Sequence, residues 1–452
     1  MIKKIILSIL CCAFLFGIFA GCAGKKDDPN EISVLIDNKD QAFFEAMIEE
    51  FEETHAPYTV NPIWTAGSDI QKTQAQRIGT GTAPDVIVGG DMYTEVYRRN
   101  LYDLTELIER DAEEVALDDI VPGIMDNLKN GEGKIVFMPR YFNVSLLYYN
   151  KTLFDADREA LLNAGITPAP EGTPEEEKHY PHENWTIEDF FKAGGVLTKS
   201  KNGVYSQWGS STVGGWWGEW LIHLRQAGTD FMDEDGYVSF DNQQARDAMQ
   251  IWYDKAYGNE ELGRPKISVA PGEADLGGFT GGKTAMSYGG HTADWARLDQ
   301  IDSFEWDVTV LPTGLARRDG AEFSIEGYGI YNKSANVEAA WEFIKFMTNK
   351  EGIKKGTDAG FLTVRQSVLE EMEEGAKKER TEIALEAIDP NGKYGTYAMT
   401  LPKEEYFSEL ANGIAEKWIS LIIASDNSRV SIAEACANIE RECNDYIELN
   451  YK

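Results

Sequence analysis

Short apolar runs alternate with amphipathic stretches along the first hundred residues. Ile32-Ser-Val-Leu-Ile36 reads as a strand, and Asp37-Asn38-Lys39-Asp40 as a polar turn. Phe43, Phe44, Met47, Ile48 and Phe51 then recur at helical spacing, with Asp40 as the N-cap. A second strand, Tyr58 to Trp64, leads to a polar helix from about Ser68 to Ile78. A third, Asp85 to Val88, leads into a helix beginning near Met92. Repeated strand–helix units predict a parallel or mixed α/β sheet. Such sheets bind ligands beyond the carboxyl ends of their strands. That puts Asp37, Asn38, Trp64 and Asp91 on one rim.

The pattern continues with a long β-rich stretch, Val136 to Asn150, carrying Pro139-Arg140-Tyr141. Residues 167–184 turn to Pro, Glu and His and read as an exposed loop or insertion. Trp185 restarts a helix that Thr186 caps. Val204 to Trp220 is rich in Trp and Gly, and Asp241 to Tyr257 is an amphipathic helix. Strands are predicted within Phe279–Gly290, at Trp306–Leu311 and at Ile325–Tyr331. Val337, Ala340, Trp341 and Ile344 mark a helix, and the last 45 residues read as helical.

The N-terminus follows a different rule. Lys3 and Lys4 precede an apolar run, Ile5 to Ile18, then Ala20, Gly21 and Cys22. This is the layout of a secretory leader, and the run falls short of the about 20 residues of a spanning helix. Phe19-Ala-Gly-Cys22 resembles the bacterial lipobox, with Phe19 where Leu is usual. The resemblance implies a lipid-modified Cys22 and membrane anchoring through it. Residues 1–21 are thus read as leader and 22–31 as a polar tether. The remaining chain, over 400 of 452 residues, is too long for one core and predicts two lobes.

The formal charge is −33, and loss of the two leader lysines takes it to −35. That excludes nucleic acid and direct adhesion to anionic lipid as partners. Cys436 and Cys443 lie seven apart in a helical stretch, about 10 Å at 1.5 Å per residue. A disulfide needs about 7 Å or less, so both are read as reduced on one buried face. His179-Tyr-Pro-His182 lacks the Glu of a zinc-protease helix, and Gly281-Gly-Lys-Thr284 is only the tail of a phosphate loop. No metal and no cofactor is implied.

Several blocks in fixed order carry a family resemblance: Gly79-Thr-Gly-Thr-Ala-Pro-Asp-Val-Ile87, Leu101-Tyr-Asp-Leu-Thr105, Leu146-Leu-Tyr-Tyr-Asn-Lys-Thr-Leu-Phe154, Phe279 to Gly290, Val308 to Pro312, Glu326-Gly-Tyr-Gly-Ile330 and Ala339 to Ile344. The chain resembles the extracellular solute-binding proteins of ABC transporters, in the carbohydrate branch that includes maltose-binding protein. The resemblance implies an α/β, two-lobed periplasmic-binding-protein fold (type II) with a ligand cleft at a multi-crossing hinge. Crossings are expected near Tyr141–Val144, Ser324–Gly327 and, third, within Glu370–Lys378. One lobe would then hold 32–141 plus 327–375, the other 142–326 plus 376–452.

A sugar site needs aromatic platforms and groups that bond hydroxyls. Asp91 stands where the family has a hydroxyl-binding acid; Asp37, Asn38 and Asp91 could equally cap helices. Trp64, Tyr141, Trp208, Trp216, Trp217 and Trp295 are candidate platforms, each also a candidate core residue. Adjacent Trp216 and Trp217 cannot both face a ligand. His291 follows the paired glycines where the family has an aromatic contact. Glu326 and Tyr328 flank the second crossing, and Arg365 is a contact or a surface ion pair. The expected protein is a monomeric, lipid-anchored binding protein, not an enzyme, that captures an oligosaccharide and passes it to an ABC permease. An exported glycoside hydrolase, or the same fold taking a peptide, polyamine or metal chelate, are the alternatives.

Overall fold

A computed structural model describes residues 29–452 apart from 68–69, 91–94, 212–216, 390, 395–396, 401 and 403–405. Cys22, Asp91 and Trp216 lie outside the described residues. The chain forms two compact units: one of residues up to Ile87 with Lys333–Phe343, the other of Val88–Asn332 with Ile344–Lys452.

In the first unit, strand β1 (Glu31–Asp37) lies parallel to β2 (Thr59–Thr65), in register from Glu31↔Thr59 to Asp37↔Thr65. On its other side Val34 and Leu35 face Val86 and Ile87, which open β3 (Val86–Gly90). Helix Gln41–Thr54 buries Phe44, Met47, Ile48 and Phe51, four of the five positions its periodicity marks. Phe51 meets Phe343 edge-on at 5.2 Å, which ties the later segment into this core. Asp85 reinforces the tie by accepting from the hydroxyls of Ser33 and Ser334 at 2.8 and 2.6 Å.

The spine of the second unit is β4 (Met138–Asn150), with all thirteen residues buried. After β4 comes a small hairpin, β5 (Lys199–Lys201) with β6 (Val204–Gln207). The N-terminal half of β4 pairs antiparallel with β9 (Ala321–Ile330). Its C-terminal half pairs antiparallel with β7 (Met286–His291) and β8 (Trp306–Thr309). A short β10 (Ala398–Met399) lies parallel to the start of β9. The first two of the three stretches expected to cross between lobes are each other's partners, through Tyr141↔Glu326, Phe142↔Ile325, Asn143↔Ser324 and Val144↔Phe323.

A helical core fills the rest. Helix Trp217–Gln226 packs with Gln243–Tyr257 and the C-terminal helix Ile432–Asn450. Trp220, Phe231, Phe240, Trp252 and Phe407 join one apolar cluster with Cys436, Ile439, Cys443 and Ile447. Both cysteines are buried and unpaired, as their spacing required. Ser431 caps the last helix, and a capping box of Thr186 with Asp189 starts helix Ile187–Leu197. The Pro- and Glu-rich segment is not a plain exposed loop. Its His179 is only 3% exposed and bonds Asp155 at 2.8 Å, while His182 bonds the Thr167 carbonyl.

Candidate functional site

In the first unit Asp37 is the last residue of β1 and Asn38 opens the short turn after it, one residue later than the expected strand end. The Asp37 carboxylate accepts from the Lys39 backbone N–H at 3.1 Å and lies 3.5 Å from Lys39 Nζ. Gly67 closes over it: a Cβ there would sit 2.3 Å from Asp37 Oδ2. That is a capping arrangement. Asn38 is exposed. Trp64, opposite Ile36 near the end of β2, is only half-buried, as a platform requires.

In the second unit an alternation decides the geometry. Directly opposed residues of an antiparallel pair share a face, and alternate residues along a strand share it too. Tyr141, Asn143 and Ser145 of β4 and Ser324 and Glu326 of β9 therefore project to one side. His291 of β7, opposite Ser145, joins them, and Glu322 continues the row along β9. Phe142, Val144, Leu146, Phe323 and Ile325 take the other side as core. One face of this sheet thus carries a phenol, an amide, two hydroxyls, two carboxylates and an imidazole, and the other is apolar.

Two charge pairs organise the polar face. His291 Nε2 lies 2.9 Å from Glu322 Oε2, reaching across β4 above Ser145. Ser145 is small enough to let that pair close. Burial pushes the His291 pKa down, but the Glu322 carboxylate, helped by Asp294 and Glu326, outweighs it and holds the imidazole above its ordinary value. Arg140 Nη1 lies 3.7 Å from Glu326 Oε2. A register shift between Pro139 and Tyr141 interrupts the alternation at Arg140. Its guanidinium lies 4.3 Å from the Phe361 ring centre and 4.9 Å from that of Tyr141. Tyr141 and Phe361 themselves stack, 4.8 Å apart and 7° from parallel. Tyr141 is 4% exposed, and Phe361 is the more open ring of the stack. Thr292 donates to Asn143 Oδ1 and accepts from the Val144 N–H, fixing the amide beside the pair.

The remaining candidates lie apart from this face. Trp208 is 1% exposed, stacks on Tyr205 at 4.0 Å and donates its indole N–H to the Ala274 carbonyl. Trp217 packs against Phe407 in the helical core. Trp295 is buried near Trp306 and the Arg380 guanidinium. Tyr328 is fully buried two residues beyond Glu326. Arg365 is not a surface residue. It is 2% exposed and clamps the carbonyls of Thr348, Val115 and Ala116 together with the Asp119 carboxylate.

Sequence reasoning named neither Phe361, Asn143, Ser145 nor Glu322 as site residues. The signal was present as period-two polarity in Phe142-Asn-Val-Ser-Leu146 and Phe323-Ser-Ile-Glu326. It also gave no hint of a charge network inside the helical core. There buried Lys255 bonds Glu219, with His223 3.6 Å from the same carboxylate. Beside it Arg264 joins Asp254 and Glu188 at 2.9 and 2.6 Å.

Solved structures with the same two-lobed α/β fold include an ABC substrate-binding protein from Listeria monocytogenes in complex with cycloalternan. It is 22% identical, with a TM-score of 0.71 over 93% of this chain and 100% of that one. Maltose-bound MalE3 of T. maritima is 20% identical, with a TM-score of 0.65 over 92% of this chain and 99% of that one. A cyclic alpha-maltosyl-1,6-maltose binding protein from Arthrobacter globiformis is 19% identical, with a TM-score of 0.67 over 94% and 100%. By sequence, none of the curated proteins matches significantly. The profile of the bacterial extracellular solute-binding proteins matches residues 37–354, and the chain belongs to that family. Among the described residues no helix is long and apolar enough to cross a membrane.

Proposed function

We propose that this protein captures a carbohydrate outside the cytoplasm and delivers it to an ABC permease. The observation that carries the reading is the one-sided row of hydroxyl, amide, carboxylate and imidazole groups beside the Tyr141–Phe361 stack. Sugars offer apolar C–H faces to rings and many hydroxyls to such groups. Solved structures of the same fold are bound to cycloalternan, maltose and ribitol, and another is a cyclic alpha-maltosyl-1,6-maltose binding protein, which supports a carbohydrate ligand here. Tyr141, Glu326 and His291 are assigned to the ligand, with Trp64 as a second platform and Asp91 as a hydroxyl-binding acid. Residues 32–141 plus 327–375 and 142–326 plus 376–452 are assigned as the lobes that close on it. Ligand shifts that closure only by its preference for the closed form. Cys22 is assigned as the lipid anchor of a monomer, keeping it near its permease at raised effective concentration.

A glycosidase would need two free carboxyl groups facing one bond, about 5–9.5 Å apart. Glu322 and Glu326 rise about 13 Å apart along one strand, and each has its own partner, His291 for Glu322 and Arg140 for Glu326. That supports binding without bond cleavage. The test is calorimetry of the mature protein against linear and cyclic gluco-oligosaccharides, with Glu326→Gln and Tyr141→Ala alongside. Saturable heat with one sugar, weakened at least tenfold in both variants, is expected. No heat with any member, or release of shortened glycans, overturns the reading.

A further inference from the structure

A further segment flanks the polar face of β4 on the side away from β9. Leu362 forms an isolated antiparallel bridge with Phe142. One step along that pairing sets Phe361 opposite Asn143, and directly opposed residues share a face. Gly360 lets the segment approach: its φ is +105°, and a Cβ there would lie 2.7 Å from that of Ala296. Phe361 thus stands on the polar face at the level of Asn143. Glu326 stands at the level of Tyr141, and His291 at that of Ser145. At about 3.3 Å per residue, Phe361 is midway, about 7 Å along the strand from each. That spacing leaves room for one sugar ring over Phe361, with a hydrogen bond at each end.

Exposure sorts this face into groups a ligand reaches and groups beneath them. The side chains of His291 and Glu326 are 23% and 33% exposed, and Phe361 is half-buried. Tyr141, Asn143, Ser145, Glu322 and Ser324 are buried. Three distances fix what Tyr141 does. The Arg140 guanidinium lies 4.3 Å from the Phe361 ring centre and 4.9 Å from that of Tyr141, and the two ring centres lie 4.8 Å apart. A guanidinium on the opposite side of Phe361 from Tyr141 would lie about 7 Å or more from Tyr141, two van der Waals layers away. Tyr141 and Arg140 therefore brace Phe361 from one side. The ring is held before a ligand arrives, which spares binding the cost of ordering it.

We propose that Phe361 is the stacking platform of this site, that one sugar ring lies on it between His291 and Glu326, and that Tyr141 is a positioning residue acting through it. The proposal rests on the carbohydrate reading and sharpens it. The experiment is titration calorimetry of the protein and its variants with linear and cyclic gluco-oligosaccharides, with circular dichroism of each variant. Phe361→Leu keeps an apolar side chain and removes the ring, so affinity should fall about three- to tenfold, the worth of an aromatic stack. Phe361→Trp should stay within about twofold of the parent, since it keeps a ring. Tyr141→Phe keeps the stack and should restore what Tyr141→Ala loses. Parent affinity in Phe361→Leu, or an equal loss in Phe361→Leu and Phe361→Trp, overturns the proposal while the carbohydrate reading stands. An equal loss in Tyr141→Phe and Tyr141→Ala makes the phenol a ligand contact and overturns its positioning role. A parent protein that takes up no carbohydrate overturns the underlying reading and the proposal together.

Discussion

Replacing Arg365 by Ala separates a structural from a ligand-binding role at a position the sequence left open. The side chain is 2% exposed and donates to Thr348 O and Val115 O at 2.8 Å, Asp119 Oδ2 at 3.1 Å and Ala116 O at 3.3 Å. Burial alone would raise the Asp119 carboxyl, but bonds from Ser367 and Arg365 hold it below its usual range. Truncation leaves that carboxylate and three carbonyls without their charged donor. Each such bond is worth about 1.5–3 kcal/mol. They share one cation and are not additive, so the net cost is that of a broken buried pair, about 3–5 kcal/mol. Unfolding entropy of about 2.1 cal/mol/K per residue gives roughly 0.9 kcal/mol/K for the described residues, so Tm should fall about 3–6 °C. Differential scanning calorimetry reads the fall, and titration calorimetry on the folded variant should find sugar affinity unchanged. A Tm within about 1 °C of the parent, with affinity lost, would refute the reasoning and make Arg365 a ligand contact.

The raised pKa of His291 sets a pH signature. Its pairing with Glu322 stabilises fully below about pH 6.5, the ordinary histidine value, and the contribution is lost as pH rises through the elevated value. His291→Gln should therefore show a lower urea midpoint than the parent at about pH 6, with the gap narrowing under more alkaline conditions; a constant gap contradicts the pairing. Burial pushes the Cys436 and Cys443 thiols up to about 12 each, so neither should react with a maleimide until the protein is denatured. A Cβ at Gly90 would fall 1.7 Å from the Ile325 carbonyl oxygen, so Gly90→Ala should lower the urea midpoint by the equivalent of about 1–3 kcal/mol.

How much was legible follows from what each signal measures. The strand–helix order and the family blocks survived because apolar period and turn chemistry are local, and the family match covers residues 37–354. The β1 rim was legible in position, yet Asp37 caps its own turn there, which sequence could state only as an alternative. Tryptophan content was ambiguous as a platform signal. Trp217, Trp220, Leu221 and Leu224 repeat at helical spacing, and that pattern builds core. Arg365 was illegible because three of its partners are carbonyls, at Thr348 and, some 250 residues earlier, at Val115 and Ala116, and carbonyls have no sequence signature. The polar face of β4 and β9 was written in their alternation, but the register that joins them is long-range.

The central claim is that the chain binds a sugar and leaves it whole. Native mass spectrometry of the protein against gluco-oligosaccharides, polyamines and short peptides tests it directly. The account predicts one oligosaccharide per protein at its unaltered mass, with no polyamine or peptide complex. A complex only with polyamine or peptide, or sugar recovered as shorter fragments, would contradict it.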